Sequence, residues 1–337
     1  MWGDWVVSGI NNAGQVVGSS GEGSGAYAFL WQNGTMQLLG TLNAPYNVFS
    51  GASAINNFGQ VVGSSYGSGS YNGHAFLWQN NTMQDLGTLG GTRDRSVASG
   101  INNVGIAVGY SDQSGVATSA RAVLWCGGGL IQDLGTLPGQ ATSSANAIND
   151  ANQVVGASGN GVGLARPVLW QNGSMQELAN LKPGIGIAFD INNAGQVVGY
   201  IQDKGFLWQN GNIQYIDPLP GDNYCVASGI NESGVVVGYS YETINYSLRS
   251  HAFVWEAGMS KPQALGALSG DTWSAAFSIN DQGQIVGLSG DYYQVASKGV
   301  LWNPIPEPAA AMSLASLALL GFAWMRCLTR CTPAAGG

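Results

Sequence analysis

Short apolar runs, separated by turn residues, follow one another along the chain and predict an all-β protein. The run that ends at Ile101 is followed by NNVG and then by IAVGYS, and the run ARAVLW is followed by CGGG and then by LIQDLG. Runs of this length between Gly and Asn clusters are typical of strands joined by tight turns. Runs such as AFLW are apolar at consecutive positions, which is typical of strands covered on both faces. The pattern therefore predicts units of four short strands.

The unit is repeated seven times. The segment INNAGQVVG and its variants begin 39 to 49 residues apart, at Ile10, Ile55, Ile101, Ile148, Ile191, Ile230 and Ile279. A segment of the type AFLWQNG follows each one and places a tryptophan at equivalent positions, namely Trp31, Trp78, Trp125, Trp170, Trp208, Trp255 and Trp302. A four-stranded repeat of about 40 to 45 residues is typical of a β-propeller blade, and seven blades lie within the usual range. The alternative is a linear β-solenoid, whose first and last repeats stand apart.

Two turns and the last repeat refine this prediction. The first turn of each repeat has a glycine, such as Gly14, at one position, and the fourth repeat has Asn152 there instead. Asn is the side chain that best tolerates a positive φ, so this position is predicted to have one. Asn33-Gly34 is a type I′ hairpin signal. Trp302 runs directly into NPIPEP, so the last blade lacks its fourth strand. We predict an all-β, seven-bladed β-propeller over residues 1–304, with four-stranded blades, a three-stranded last blade and a C-terminal apolar helix after it.

Composition and charge narrow the possible partners. Of the 337 residues, 45% are hydrophobic and only 9% are charged, so the chain has enough apolar surface for a large core. The net charge of -8 disfavours nucleic acid, which requires a basic face. The 4 cysteines follow neither a metal-site spacing nor a disulfide framework. We therefore expect no nucleic-acid partner, no metal and no cofactor.

The repeats resemble a known family of extracellular repeats. The strings GHAFLWQNNTMQDLGTLGG at 73–91 and SGINNVGIAVGYS at 99–111 are similar to the HAF-type repeats of bacterial secreted proteins, and the resemblance extends over most of residues 5–302. This resemblance implies export and a propeller fold. It implies no particular reaction.

The C-terminal segment, residues 305–337, resembles a PEP-CTERM sorting signal. Pro306, Glu307 and Pro308 precede an apolar stretch at 309–325, and Arg326 and Arg330 follow it. Such a signal implies recognition and removal by an exosortase-type processing enzyme, after transient anchoring in the inner membrane. The alternative is a plain membrane anchor. The 17 apolar residues would form a helix of about 26 Å, which is just long enough to span a hydrocarbon core of about 30 Å. The N-terminal MWGDWVVSGINN has no apolar signal-peptide core, so we expect the true start to lie upstream.

One position in each repeat carries a mostly cationic side chain. In chain order it holds Tyr27, His74, Arg121, Arg166, Lys204, His251 and Lys298. The acids of strand four, Asp85, Asp133 and Glu177, are placed to pair with the second, third and fourth of these. Lys204, His251 and Lys298 lack that partner, so we expect them to form an anion-binding sector. The alternative is a solvated or ion-paired surface.

The loops after strand two are rich in tyrosine. The candidate ligand-binding tyrosines are Tyr239, Tyr241, Tyr246, Tyr292 and Tyr293. Flat, amphipathic rings beside Ser, Gly and Asn suit adaptable recognition, and sugar rings are one target; the alternative is that these rings only cover the blade ends.

The repeats carry little that resembles catalytic chemistry. The repeated acids occupy matching positions in successive blades and do not flank one pocket, so we predict no catalytic residue. The sequence therefore predicts an exported, non-enzymatic binding or matrix module of the cell envelope or extracellular matrix, with extracellular polysaccharide as a possible partner. The alternative is an extracellular propeller hydrolase that acts on polysaccharide.

Overall fold

A computed structural model describes the ring of strands between Trp5 and Asn303. The described residues are 5–303 without 23–24, 43–46, 68–72, 91–94, 113–119, 128, 161–164, 180–184, 245–246 and 292–296. The chain divides into two units, Met1–Asn303 and Pro304–Gly337, and every described residue belongs to the first.

The described residues form seven antiparallel sheets, one for each sequence repeat. The strands of blades one to four are β1 (Trp5–Ile10), β2 (Val16–Glu22), β3 (Gly25–Gln32), β4 (Thr35–Gly40), β5 (Asn47–Ile55), β6 (Val61–Gly67), β7 (Gly73–Gln79), β8 (Thr82–Asp85), β9 (Ser96–Ile101), β10 (Ala107–Asp112), β11 (Ala120–Cys126), β12 (Leu130–Gly135), β13 (Thr142–Ile148), β14 (Val154–Gly159), β15 (Arg166–Gln171) and β16 (Ser174–Glu177). The strands of blades five to seven are β17 (Gly186–Ile191), β18 (Val197–Ile201), β19 (Lys204–Gln209), β20 (Asn212–Ile216), β21 (Tyr224–Ile230), β22 (Val236–Ile244), β23 (Ser247–Trp255), β24 (Gln263–Ala264), β25 (Trp273–Ile279), β26 (Ile285–Gly290) and β27 (Ser297–Trp302).

Each blade pairs its strands in chain order, and the last blade has three described strands, as predicted. First strands of neighbouring blades contact one another all round the ring, so strand one lies nearest the axis. The position without a described strand in blade seven is therefore the outer edge.

The core lies between neighbouring sheets. Val155 and Leu169 of blade four, for example, share one apolar cluster with Val197, Phe206 and Trp208 of blade five. The third strands are covered on both faces, as their unbroken apolar runs predicted: Val168, Leu169 and Trp170 are 0%, 3% and 5% exposed. Burial of this kind contributes about 25 cal/mol per Å² of apolar surface.

The ring is closed, because blade one packs against blade seven. Val7, Ile10 and Phe29 form a cluster with Val286, and β1 contacts β26. The predicted propeller is thus confirmed, and the linear solenoid is wrong.

The predicted turn conformations are also confirmed. Asn152 has a φ of 60°, against 70° for the equivalent Gly14, so both occupy the left-handed region. Asn33 and Gly34 have φ values of 50° and 79°, which is the pair of positive angles that a type I′ turn requires.

The predicted apolar helix at 309–325 lies outside the described residues. Within the part of the chain that the structure describes, no helix has the length and apolar character needed to cross a membrane.

Candidate binding faces

One end of the ring carries a closed belt of buried asparagines. The amide Nδ2 of each one donates to the backbone carbonyl of its counterpart in the next blade at 2.9–3.2 Å, and the last donates to the first. The seven are Asn11, Asn56, Asn102, Asn149, Asn192, Asn231 and Asn280. The repeat pattern places this asparagine in a turn and does not predict the belt, although its identity in all seven repeats is a usable signal.

A second belt surrounds the mouth of the central channel. In each blade, one side-chain oxygen accepts a hydrogen bond from the backbone N–H of the equivalent residue in the preceding blade, at 2.8–3.1 Å. Its members are Asn12, Asn57, Asn103, Asp150, Asn193, Glu232 and Asp281, and both belts line a cavity of about 150 Å³. Burial raises the pKa of Glu232, and the charges of Asp281 and Asp150 raise it further. The hydrogen bonds of the second belt join blade to blade, so its role is structural.

The cationic position lies toward the opposite end of the ring, at the start of strand three. His74 Nδ1 lies 2.7 Å from Asp85, Arg121 Nε lies 3.2 Å from Asp133, and Arg166 Nη1 lies 3.1 Å from Glu177. Phe76 faces Asp85 in the register of β7 and β8, which brings Asp85 diagonal to His74. Burial alone would raise the pKa of Asp85, but hydrogen bonds from His74 and the Gly87 N–H outweigh it, so the pKa lies below its usual value.

Lys204, His251 and Lys298 have no acid on strand four, but each has an acidic partner elsewhere, so pairing does not set this sector apart from the first three blades. Lys204 Nζ lies 2.6 Å from Asp217, His251 Nδ1 lies 3.1 Å from Asp222, and Lys298 Nζ lies 2.6 Å from Asp271. These acids lie on the segments between blades rather than on strand four. The Gly-Asp pairs at 221–222 and 270–271 were the available signal. Anion binding by these three side chains stays a prediction, and each of them also contacts an acid.

Two of these acids are almost completely buried. The Asp222 and Asp271 side chains are 2% and 3% exposed. Burial would raise the pKa of Asp271, but hydrogen bonds from Lys298 and Ser289 outweigh this and lower it. Ser240 donates an equivalent hydrogen bond to Asp222. Each of these buried acids therefore contacts a basic side chain that is itself about half exposed, at 46% for His251 and 54% for Lys298.

Aromatic side chains of three consecutive blades meet at this same end of the ring. Tyr224 stacks on Tyr241 with ring centroids 5.0 Å apart, and Tyr241 lies 6.2 Å from Tyr239. Tyr239 in turn meets the edge of Phe277 at 6.4 Å, and Tyr200 is close enough to raise the pKa of both Tyr239 and Tyr241. We call these five residues the tyrosine patch.

The patch includes two of the five predicted tyrosines, Tyr239 and Tyr241. Tyr246, Tyr292 and Tyr293 lie outside the described residues. Tyr239 and Tyr241 lie on β22, which is strand two of blade six, rather than in the loop after it as predicted. Tyr224 and Phe277 were missed because they belong to strand one. Burial is the main cause that raises the pKa of Tyr239 and Tyr241, so both phenols keep their proton and can donate hydrogen bonds.

A cleft of about 250 Å³ lies at the rim of blade six, and we call it the rim cleft. It is lined by Leu219, Pro220, His251, Ala264, Gly266, Ala267, Thr272, Trp273 and Ser274. Its walls are mostly apolar, and His251 brings a hydrogen-bonding edge to it. Among the described residues, no group of three or more His, Cys, Asp or Glu side chains is arranged to hold a metal ion.

The predicted sorting residues Pro306, Glu307, Pro308, Arg326 and Arg330 lie outside the described part of the chain. Their role therefore stays a prediction.

The fold is similar to that of several solved structures. No protein-family model matches the chain, and no curated protein matches its sequence. A prolyl endopeptidase matches with a TM-score of 0.59 and 10% identity over 90% of this chain and 50% of its own. The acylaminoacyl peptidase of Pyrococcus horikoshii matches with a TM-score of 0.51 and 11% identity, over 88% of this chain and 51% of its own.

A third similar structure is the extracellular domain of a putative one-component system from B. thetaiotaomicron, with a TM-score of 0.50 and 11% identity over 87% of this chain and 38% of that chain. This chain thus spans about half the length of the two peptidases it matches. At such low identity the likeness defines the class of fold, a β-propeller, and nothing finer.

Proposed function

We propose that the protein is an exported propeller that binds extracellular polysaccharide through the tyrosine patch. The observation that carries the proposal is the meeting of Tyr200, Tyr224, Tyr239, Tyr241 and Phe277, from blades five, six and seven, on one face. Aromatic rings offer flat contact area at a low entropy cost, and their hydroxyl groups add hydrogen bonds.

A glycan array tests this proposal directly. The full chain is applied in its original form and as Tyr241→Ala, which removes the ring that stacks on Tyr224. The matched control is Tyr215→Ala, because Tyr215 is 51% exposed on strand four and lies outside the patch. We expect at least one glycan class to be retained by the original chain and by Tyr215→Ala, and to lose about tenfold in affinity with Tyr241→Ala. Equal retention by all three proteins would refute the role of the patch.

Export and sorting are the second part of the proposal. They rest on the resemblance of the repeats to HAF-type repeats and of residues 305–337 to a PEP-CTERM signal. The proposed partners are an exosortase-type processing enzyme and, before processing, the inner membrane. Replacing Glu307 by Ala should leave a membrane-retained protein of uncleaved mass in the native cell, as measured by fractionation and mass spectrometry; unchanged processing contradicts this.

The alternative function is hydrolysis of polysaccharide. One observation favours it: the His251 imidazole is held by the buried Asp222 beside the rim cleft, and a carboxylate-oriented imidazole suits general-base chemistry. The matching solved structures include two peptidases, but about half of each has no counterpart here. Turnover of a polysaccharide by the full chain, lost in His251→Ala, would establish this alternative.

A further inference from the structure

The rim cleft combines one oriented polar group with apolar walls. His251 presents its imidazole to the cleft, while Leu219, Pro220, Ala264 and Ala267 supply aliphatic surface. Trp273 adds an aromatic wall, and its indole lies against Gly290, where an added Cβ would approach within 2.6 Å of the ring. The indole is therefore fixed by its own blade.

The buried carboxylate determines which nitrogen of His251 faces a ligand. Asp222 accepts a hydrogen bond from Ser240 and lies 3.1 Å from His251 Nδ1. A carboxylate only accepts hydrogen bonds, so Nδ1 carries the proton in this pair. In the neutral imidazole Nε2 then presents a lone pair, which accepts a hydrogen bond from a ligand N–H or O–H.

The composition of the walls selects among sugars. An unsubstituted hexose would turn hydroxyl groups toward aliphatic walls that cannot hydrogen-bond them, which costs free energy. An acetamido group instead has one N–H for Nε2 and one methyl for the apolar surface. We propose that the rim cleft binds the acetamido group of an N-acetylhexosamine residue.

A second cleft, between blades three and four, has a different lining. That cleft measures about 210 Å³ and is lined by Tyr110, Ala120, Ala157 and Ala165, with Thr142 at the position that Trp273 holds in blade seven. The counterpart of His251 in blade three is Arg121, which pairs with Asp133, so neither the histidine nor the indole recurs at this junction. The proposed specificity therefore belongs to blade six and its junction with blade seven, next to the tyrosine patch. This inference rests on the proposed function, since it names the sugar class recognised at the same face.

The experiment compares two oligosaccharides that differ in the acetamido group. Binding of chitotetraose and cellotetraose to the full chain is measured by calorimetry. Imidazole nitrogen signals are followed by NMR, where the chain's 2 histidines provide one probe and one internal control. His251→Ala is the test variant, because this side chain is 46% exposed and its removal spares the core. His74→Ala is the matched control, because His74 holds the same position in blade two and pairs with Asp85.

We expect chitotetraose to bind at least tenfold more tightly than cellotetraose, with a shift of the His251 signal and not of the His74 signal. His251→Ala should lose about tenfold in affinity for chitotetraose, whereas His74→Ala should keep it. Equal affinity for both oligosaccharides, or full affinity in His251→Ala, would overturn the inference. Release of shorter oligomers would also overturn it, in favour of hydrolysis.

The inference and the proposed function fail differently. If array binding depends on Tyr241 while chitotetraose does not bind, only the inference is wrong. If no glycan is retained on the array at all, the proposed function is wrong.

Discussion

At the residue scale, one glycine in each blade is required by a close backbone approach. An added Cβ at Gly63 would lie 1.9 Å from the carbonyl oxygen of Gly51. The register of β5 against β6 shifts between Ala52 and Ala54, and this bulge brings strand one against the glycine. The equivalent glycines, with clashes of 1.9–2.0 Å, are Gly18, Gly109, Gly156, Gly199, Gly238 and Gly287.

Two alanine substitutions in blade two test this requirement. Gly63→Ala should lower the free energy of unfolding by about 1–3 kcal/mol or more, because backbone must shift to make room. Gly51→Ala should change it by less than about 0.5 kcal/mol, because its Cβ would meet only Ser19 Cβ at 3.9 Å. The measurement is denaturant unfolding of each variant. Similar stability of the two variants would contradict the close approach.

A second residue links stability to pH. Asp190 accepts hydrogen bonds from the N–H groups of Ile191 and Ile230, and so bridges blades five and six. Burial raises its pKa to about 6, against the two hydrogen bonds that lower it. The folded state therefore holds a proton more tightly than the unfolded chain between about pH 4 and 6.

Because the folded-state pKa is raised, this contribution to stability is complete below about pH 4 and is lost as the pH rises through about 6. Asp190→Ala gives the residue found at the equivalent positions 54 and 147, and removes the titration. Relative to this variant, the original chain should lose about 2–3 kcal/mol of unfolding free energy between about pH 4 and 7. The measurement is thermal unfolding of both proteins as a function of pH. If the stability of the original chain and that of Asp190→Ala change in parallel with pH, Asp190 does not titrate in this range.

Residue conformations were predictable only where the chain itself carries the signal. The exchange of Gly for Asn at position 152 marks a positive φ, because few other residue types tolerate one. Gly63 carries no such mark, since the demand comes from a bulge in the facing strand. The strand pattern does not reveal where a register shifts.

At the element scale, serines of strand one join neighbouring blades. Ser143 donates to the Gly135 carbonyl at 2.6 Å and accepts the Ala122 N–H at 2.9 Å, both in the preceding blade. Ser50 and Ser96 make the same two bonds. Blades five and six have Gly186 and Cys225 at this position, and the Cys225 thiol still accepts a hydrogen bond from the Gly205 N–H of the preceding blade.

Ser143→Ala should lower the free energy of unfolding by about 1–2 kcal/mol, because two backbone groups at the interface lose their partner. Ser144→Ala is the control: its side chain points to the other face of the strand, and we expect a change within about 0.5 kcal/mol. Chemical denaturation of both variants measures the difference. An equal loss of unfolding free energy in both variants would show that the effect does not come from the two hydrogen bonds of Ser143 to the preceding blade.

Strand pairing was predictable and pairing across connecting segments was not. The hairpin turn fixes the register of β7 and β8, so the contact of His74 with Asp85 followed from spacing alone. Asp222 and Asp271 lie on segments of irregular structure, whose path in space no periodicity defines. The partners of His251 and Lys298 were therefore missed.

At the scale of the whole molecule, the number of blades and their closure followed from the repeats, whereas the tyrosine patch did not. Tyr200, Tyr239 and Phe277 belong to three blades, and their proximity exists only once neighbouring blades stand side by side. Repeat spacing placed the loops at one end of the ring. It did not determine which side chains of strand one would join them.

The closed ring is the central claim, because the binding face depends on blades held side by side. A Cβ at Gly299 of blade seven would lie 2.9 Å from Val7 Cγ1 of blade one, so cysteines at these two positions are within bonding reach. We expect Val7→Cys combined with Gly299→Cys to form a disulfide within one chain in dilute solution under mild oxidation, as identified by peptide mapping. Thiols that stay free, or that link only between chains, would contradict a closed ring.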